Sequence, residues 1–314
     1  MSLGKISRIV LKDCMNLKPE EQCLIITDSA LKNIGNILYI TSRTIAEKSS
    51  IILTPIPKAH GIEPSREIAE EMMKYDVILM PTTKSLSHTR ARENATKSGA
   101  RIASMPGITT GMMKRALNVD FYKIRRTNNK LISVLRNKTK IKIITKKGTN
   151  IEFLVKGRRW LGDDGLYTKK GSFGNLPSGE IFIAPLEGKT NGTIIADASV
   201  GGLGKTGKNI KIGIKNGFIG SIEGGNIVNQ FKKLLLNRLY KSVAELGIGT
   251  NYKAKITGNV LEDEKVMGTF HVAFGNNKHF GGRVDVPFHV DFVIRNPTIY
   301  ADKVLLMKEG KLNI

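Results

Sequence analysis

Cys23-Leu24-Ile25-Ile26-Thr27 is a short β-branched run closed by Asp28-Ser29-Ala30, and it sets the pattern for the first hundred residues. Similar runs at 51–54, 77–80 and 101–104 read as buried strands. The stretches between them, 31–48, 65–74 and 87–98, carry helical periodicity. In the second of these, Ile68, Met72 and Met73 form an apolar stripe while Glu67, Glu70 and Glu71 face water. Strand and helix in alternation predict a parallel sheet covered by helices. Thr27-Asp28-Ser29-Ala30 stands where a dinucleotide-binding strand would lead into G-x-G-x-x-G, so this half is read as architectural or as a cleft wall. His60 and His88 fall in loops at strand ends, as ligand-binding or as ordinary exposed histidines.

From about residue 121 glycines become dense and strands dominate. Residues 142–145 and 150–155 flank Lys147-Gly148, and 210–214 and 218–222 flank Lys215-Asn216-Gly217, a strong hairpin signal. Ile227, Phe231, Leu234, Leu235 and Leu239 predict one helix over 226–245, with Gly247 as its stop. The domains are accordingly expected at 1–120 and 121–314.

With 314 residues and 40% apolar composition, the chain has material for two ordinary cores. No apolar stretch approaches the ~18 to 20 residues of a membrane span. Two cysteines, Cys14 and Cys23, are too few for a disulfide framework or a thiolate zinc site. No basic-then-apolar leader precedes the first strand, and a cytoplasmic enzyme or binding protein is expected. The net charge is +23, and residues 101–147 hold thirteen basic side chains against Asp120 alone. Phe121 and Tyr122 are thin provision for base stacking, so a lysine-rich solvated face is preferred to a nucleic-acid surface.

The chemistry concentrates in two late strands, 266–275 and 286–294. Alternation puts His289 and Asp291 on one face with Val293, and Phe288, Val290, Phe292 and Ile294 on the other. In the first strand His271 opposes Phe270, Val272 and Phe274. Ionisable groups projected from an apolar strand are costly to bury unless a charge or hydrogen bond receives them. Histidine and carboxylate are ordinary ligands of zinc, manganese, cobalt or ferrous iron, so a metal is expected there. Glu180 follows the turn-rich Asn175-Leu176-Pro177-Ser178-Gly179 at a strand start. Glu245, read at a helix C-terminus, opposes the macrodipole and so suggests a role other than helix stability. Glu262-Asp263-Glu264 reads by default as a solvated acidic loop. Ser199-Val200-Gly201-Gly202-Leu203-Gly204-Lys205-Thr206 lacks the first glycine of a phosphate-binding loop and reads as a glycine-rich turn.

Asn175–Glu180, 244–251, His271-Val272-Ala273-Phe274-Gly275 and His289-Val290-Asp291 together, in this order, resemble the aminopeptidase T-like metalloprotease family across roughly residues 157–310. The resemblance implies a Rossmann-like α/β domain, then an α+β metal-binding domain with a mixed, mainly antiparallel sheet. It implies a homodimer and one or two divalent metals: zinc, cobalt or manganese. Carried over by motif, Glu180, Glu245, His271, His289 and Asp291 are the metal ligands, and Glu245 or Glu264 is the base. Lys278 stands where the peptidases carry a tyrosine, read either as a catalytic group that polarises a substrate carbonyl or holds a carboxylate, or as a flexible surface lysine. The implied reaction is release of N-terminal amino acids from a peptide, or hydrolysis of a small molecule, by metal-activated water. The same positions resemble those of the ring-cleaving 2,5-dihydroxypyridine 5,6-dioxygenases, where His271, His289 and Asp291 would hold a single ferrous iron.

Overall fold

The computed structural model describes residues 1–313, which divide into two compact units, residues 1–122 with 163–178 and residues 123–162 with 179–313. Residues 163–178 thus fall with the first unit.

The first unit is built on a parallel sheet of five strands, ordered Lys48–Leu53, Gln22–Thr27, Val77–Met80, Arg101–Ser104 and Phe173–Asn175. The four expected strands and their helices are present. The helices Arg66–Met72, Arg90–Lys97 and Thr110–Ala116 each start at a hydroxyl residue, Ser65, Thr89 and Thr109, whose oxygen accepts an N–H of the first turn. Ile68 and Met72 are buried as the stripe predicts, whereas Met73 closes the helix and is 46% exposed. Leu24, Ile26, Ile78, Met80 and Ile102 supply the strands' side of one core.

The second unit places two antiparallel sheets over one core. The eight-stranded sheet contains both expected hairpins: Lys215 pairs with Phe218 across Asn216 and Gly217, whose φ values of 49° and 74° are those a two-residue hairpin turn requires. The central strands of the other sheet are His289–Arg295, Thr269–Gly275, Val243–Gly249 and Glu180–Ile183, side by side in that order. Ile181, Ile183, Leu246, Ile248, Phe270, Val272, Phe274, Phe292 and Ile294 point from them into the core. Ile141, Ile143, Ile151, Phe153, Ile194 and Ile212 meet them from the eight-stranded sheet. Ser199–Val200 and Gly204–Lys205 pair around a tight turn, as the glycine-rich reading expects.

One predicted element is corrected. The helix expected over 226–245 ends at Leu234, a 3-10 turn spans Arg238–Lys241, and Glu245 lies inside the strand Val243–Gly249. Asn237 breaks the periodicity by accepting the N–H groups of Leu239 and Tyr240, which starts the new turn. Leu234 and Leu239, which helped to suggest a continuous apolar stripe, are exposed. No helix dipole therefore acts on Glu245; a buried strand holds that carboxylate.

Candidate metal centre

The registers of the four central strands assemble the site. Gly249 pairs with Glu180, Gly247 with His271, Glu245 with Ala273, Ala273 with Asp291, and Gly275 with His289. Since directly paired residues share a face, Glu180, Glu245, His271, His289 and Asp291 all project from the side opposite the core. An apolar face drives the strands together, and its period of two delivers every ionisable side chain to the other face. Glycine at 247 is required by this crowding: a Cβ there would lie 1.9 Å from His271 Nε2. Glu180 is anchored by its backbone, because Asn128 Nδ2 donates to its carbonyl at 2.9 Å and Thr250 Oγ1 donates to Asn128 Oδ1 at 2.7 Å.

His271 is buried, with Nε2 3.3 Å from Glu180 Oε2 and 3.4 Å from Glu245 Oε1. His289 Nε2 lies 3.5 Å from both Glu245 Oε2 and Asp291 Oδ1. Its other nitrogen, Nδ1, lies 2.9 Å from the Asn276 carbonyl. A carbonyl can only accept, so Nδ1 carries a proton and Nε2 is turned toward the carboxylates, where a bound metal would take the place of its proton, the arrangement that orients metal-binding histidines.

Two sets of donors, Glu180 with Glu245 and His271, and Glu264 with His271 and Asp291, each bring their ligand atoms within 4.8 Å of one another. His271 belongs to both, and His289 flanks them. Sequence reasoning missed a further member: Lys265, buried, places Nζ 2.6 Å from Glu180 Oε1 and 2.6 Å from Glu264 Oε1. Nothing local marks it, since a lysine directly after three acids reads as solvated.

The acidic trio itself corrects the expectation of a solvated loop. Glu262 and Asp263 are fully buried and receive the backbone N–H groups of Lys255, Thr257 and Gly258. They shape the loop before the His271 strand, and of the three only Glu264 turns to the cluster. Lys278 pairs with Asp285 and is exposed; it is not among the clustered side chains. His60 accepts a hydrogen bond from the Ser85 N–H.

The electrostatics follow from these neighbours. Burial alone would lower the His271 imidazole, but Glu245, Glu180 and Glu264 outweigh it and raise it to about 9. Loss of hydration likewise works against a charged His289, yet Asp291 and Glu245 raise it to about 10. Burial would raise Asp291, but the attraction of His289, then of His271 and Lys265, holds it at about 2. Glu264 is pushed up to about 8 by burial and by Asp291 and Glu180, against the pull of Lys265.

These side chains fit a divalent cation. Nδ1 of His271 is buried without a hydrogen-bond partner among the described residues, and Oε2 of Glu180 has only the 3.3 Å ion-pair contact with His271, an expensive condition unless a further charge receives the cluster. The donors are imidazole and carboxylate, suited to first-row transition metals. Beside them stand two aromatic rings. Phe280 meets His289 edge to face at 6.1 Å between centroids, and Phe182, paired in register with Gly247, meets Phe280 in the same way at 5.7 Å.

Comparison with known proteins separates the two readings that the residues allow. Residues 12–314 match the family model described as NicX, 2,5-dihydroxypyridine 5,6-dioxygenase. The 2,5-dihydroxypyridine 5,6-dioxygenase of Pseudomonas putida is 24% identical over 249 residues, which cover 74% of this chain and 70% of that protein. The solved structure of the dioxygenase from Pseudomonas putida KT2440 superposes with a TM-score of 0.85 at 18% identity, over 99% of this chain and 96% of that one. AmpT from Thermus thermophilus superposes with a TM-score of 0.73 at 15% identity over 99% of each chain, a likeness of fold. The expected membership of the aminopeptidase family, its peptide hydrolysis and the zinc protease character that went with it are therefore corrected. The carboxylate and histidine spacing in the sequence resembles both families and could not by itself choose between hydrolysis and ring cleavage. On the match that spans nearly the whole sequence, the chain belongs to the 2,5-dihydroxypyridine 5,6-dioxygenase family.

Proposed function

We propose that this protein is a ring-cleaving dioxygenase acting on a hydroxylated pyridine or a related dihydroxylated aromatic, with one ferrous iron held by His271, His289 and Asp291. The observation that carries the reading is that two imidazoles and one carboxylate project to the same face of adjacent strands, the donor composition of mononuclear non-haem iron sites, in a chain of this family. Ferrous iron in such a site supplies the one-electron chemistry through which dioxygen can react with an aromatic ring.

The chain's own residues bind and orient. The Asn276 carbonyl holds His289 with Nε2 turned toward Asp291, so ligand geometry is set before an ion arrives. Phe182 and Phe280 offer an apolar, edge-to-face aromatic wall beside His289, which suits a flat ring. Glu245, within 3.5 Å of both histidines, and Glu264 are the carboxyl groups placed to exchange a proton with a ring hydroxyl.

The test is oxygen uptake by protein loaded anaerobically with ferrous iron and then given 2,5-dihydroxypyridine or a dihydroxybenzene. One dioxygen consumed per ring lost is expected, together with abolition by a chelator. Asp291→Ala should lose both the iron, by elemental analysis, and the uptake. Full iron occupancy without oxygen consumption on any of these rings would overturn the proposal.

A further inference from the structure

We infer that Lys265 acts as a built-in cation that takes the place of a second metal ion and limits the cluster to a single divalent ion. The inference rests on the metal-centre reading above. Its observation is the position of the ammonium: Nζ lies 2.6 Å from one carboxylate of each donor set, Glu180 from the first and Glu264 from the second. Five ionisable groups around one shared histidine would otherwise offer two adjoining cation positions, the arrangement found where two metals sit about 3.5 to 4 Å apart.

The lysine is not a surface residue that has strayed inward. Its side chain is 2% exposed, its carbonyl accepts the Asn251 N–H at 2.8 Å, and its N–H donates to the Glu262 carbonyl at 3.0 Å. The neighbouring strand is shaped to admit this backbone, because a Cβ at Gly249 would stand 2.2 Å from the Val266 carbonyl oxygen and 2.8 Å from the Lys265 carbonyl carbon. Asn128 and Thr250 meanwhile hold Glu180 from behind. Both carboxylates are thus committed to a monovalent charge that cannot leave the protein. A second divalent ion would have to displace it or stand against it, and like charges in a poorly hydrated pocket repel strongly. His271, His289 and Asp291 remain for the one exchangeable ion.

Manganese(II), a spectroscopically visible probe, tests this in the whole protein. After saturation and removal of excess metal, wild-type protein should carry one manganese per chain with the six-line electron paramagnetic resonance signal of an isolated ion. Lys265→Met should carry two per chain, with a broadened, exchange-coupled signal. Lys265→Gln, neutral but able to keep one amide hydrogen bond, serves as a second charge-free variant where the first does not fold. Lys265→Arg, which keeps the charge, should stay at one. Two ions in the wild type or in Lys265→Arg, or one ion in a natively folded neutral variant, would overturn the inference. No ion at all in the wild type would instead overturn the metal-centre reading on which it stands.

Discussion

Gly247 sits under the His271 imidazole because strand register leaves no room for a Cβ, which would approach Nε2 to 1.9 Å. Gly247→Ala should therefore push the ring away from Glu180 and Glu245. The expected outcome is a loss of about 1 to 3 kcal/mol in urea denaturation, as for other overpacked sites. Displacement of a ligand should also weaken metal affinity by about 10- to 100-fold in titration calorimetry. Unchanged affinity would mean that His271 does not ligate through this geometry. The same residue scale shows why His271 and Lys265 differ in legibility. An ionisable side chain alternating with Phe270, Val272 and Phe274 is visible in the sequence, whereas Lys265 is buried by groups 85 and 1 residues away, Glu180 and Glu264.

At the scale of the element, the parallel sheet carries a buried charge of its own. Arg101, in a central strand and 4% exposed, donates to the Met15 carbonyl at 2.9 Å and to both carboxylate oxygens of Glu21 at 2.9 and 2.6 Å. Burial would raise Glu21, but the Arg101 guanidinium outweighs it and holds the carboxyl below its ordinary value of 4.5. A carboxyl lowered in the folded state stabilises above its unfolded value, and that contribution fades as pH falls through the folded value. Arg101→Ala should thus cost about 2 to 3 kcal/mol at pH 7, and the gap from wild type should narrow below about pH 4. Urea midpoints measured from pH 3 to pH 7 check both; a gap independent of pH would remove the Glu21 pair as its cause. Elements also show where pattern alone misleads. The leucines at 234, 235 and 239 read as one long helix, yet only Val228 and Phe231 of the observed helix are buried, and the chain turns at Asn237 before entering the strand that carries Glu245.

Over the whole molecule, a net charge of +23 is balanced more locally than composition suggests. Within the basic stretch 101–147, Arg101 pairs with Glu21, Lys140 and Lys142 with Glu152, Lys146 with Glu309, and Lys147 with Asp197. Such pairs reduce the field available to a polyanion, and the remaining attraction is screened by salt. Binding of a 20-base oligonucleotide, followed by fluorescence anisotropy, should be detectable near 20 mM salt and lost by about 150 mM. Persistence at 300 mM would call for a specific nucleic-acid surface.

The period-two and helical patterns of the chain were enough to specify the parallel sheet, both hairpins and the common face of His289 and Asp291 within their strand, because each is encoded by residues close to one another and by what water excludes. Whether Glu245 belongs to a helix or a strand, that Glu262 and Asp263 receive backbone N–H groups, and that Asn128 and Lys265 stand behind the carboxylates were decided only by tertiary structure. Those roles depend on partners brought together by strand register across many tens of residues, and a polar side chain carries no local sign that folding will bury it beside a compensating charge.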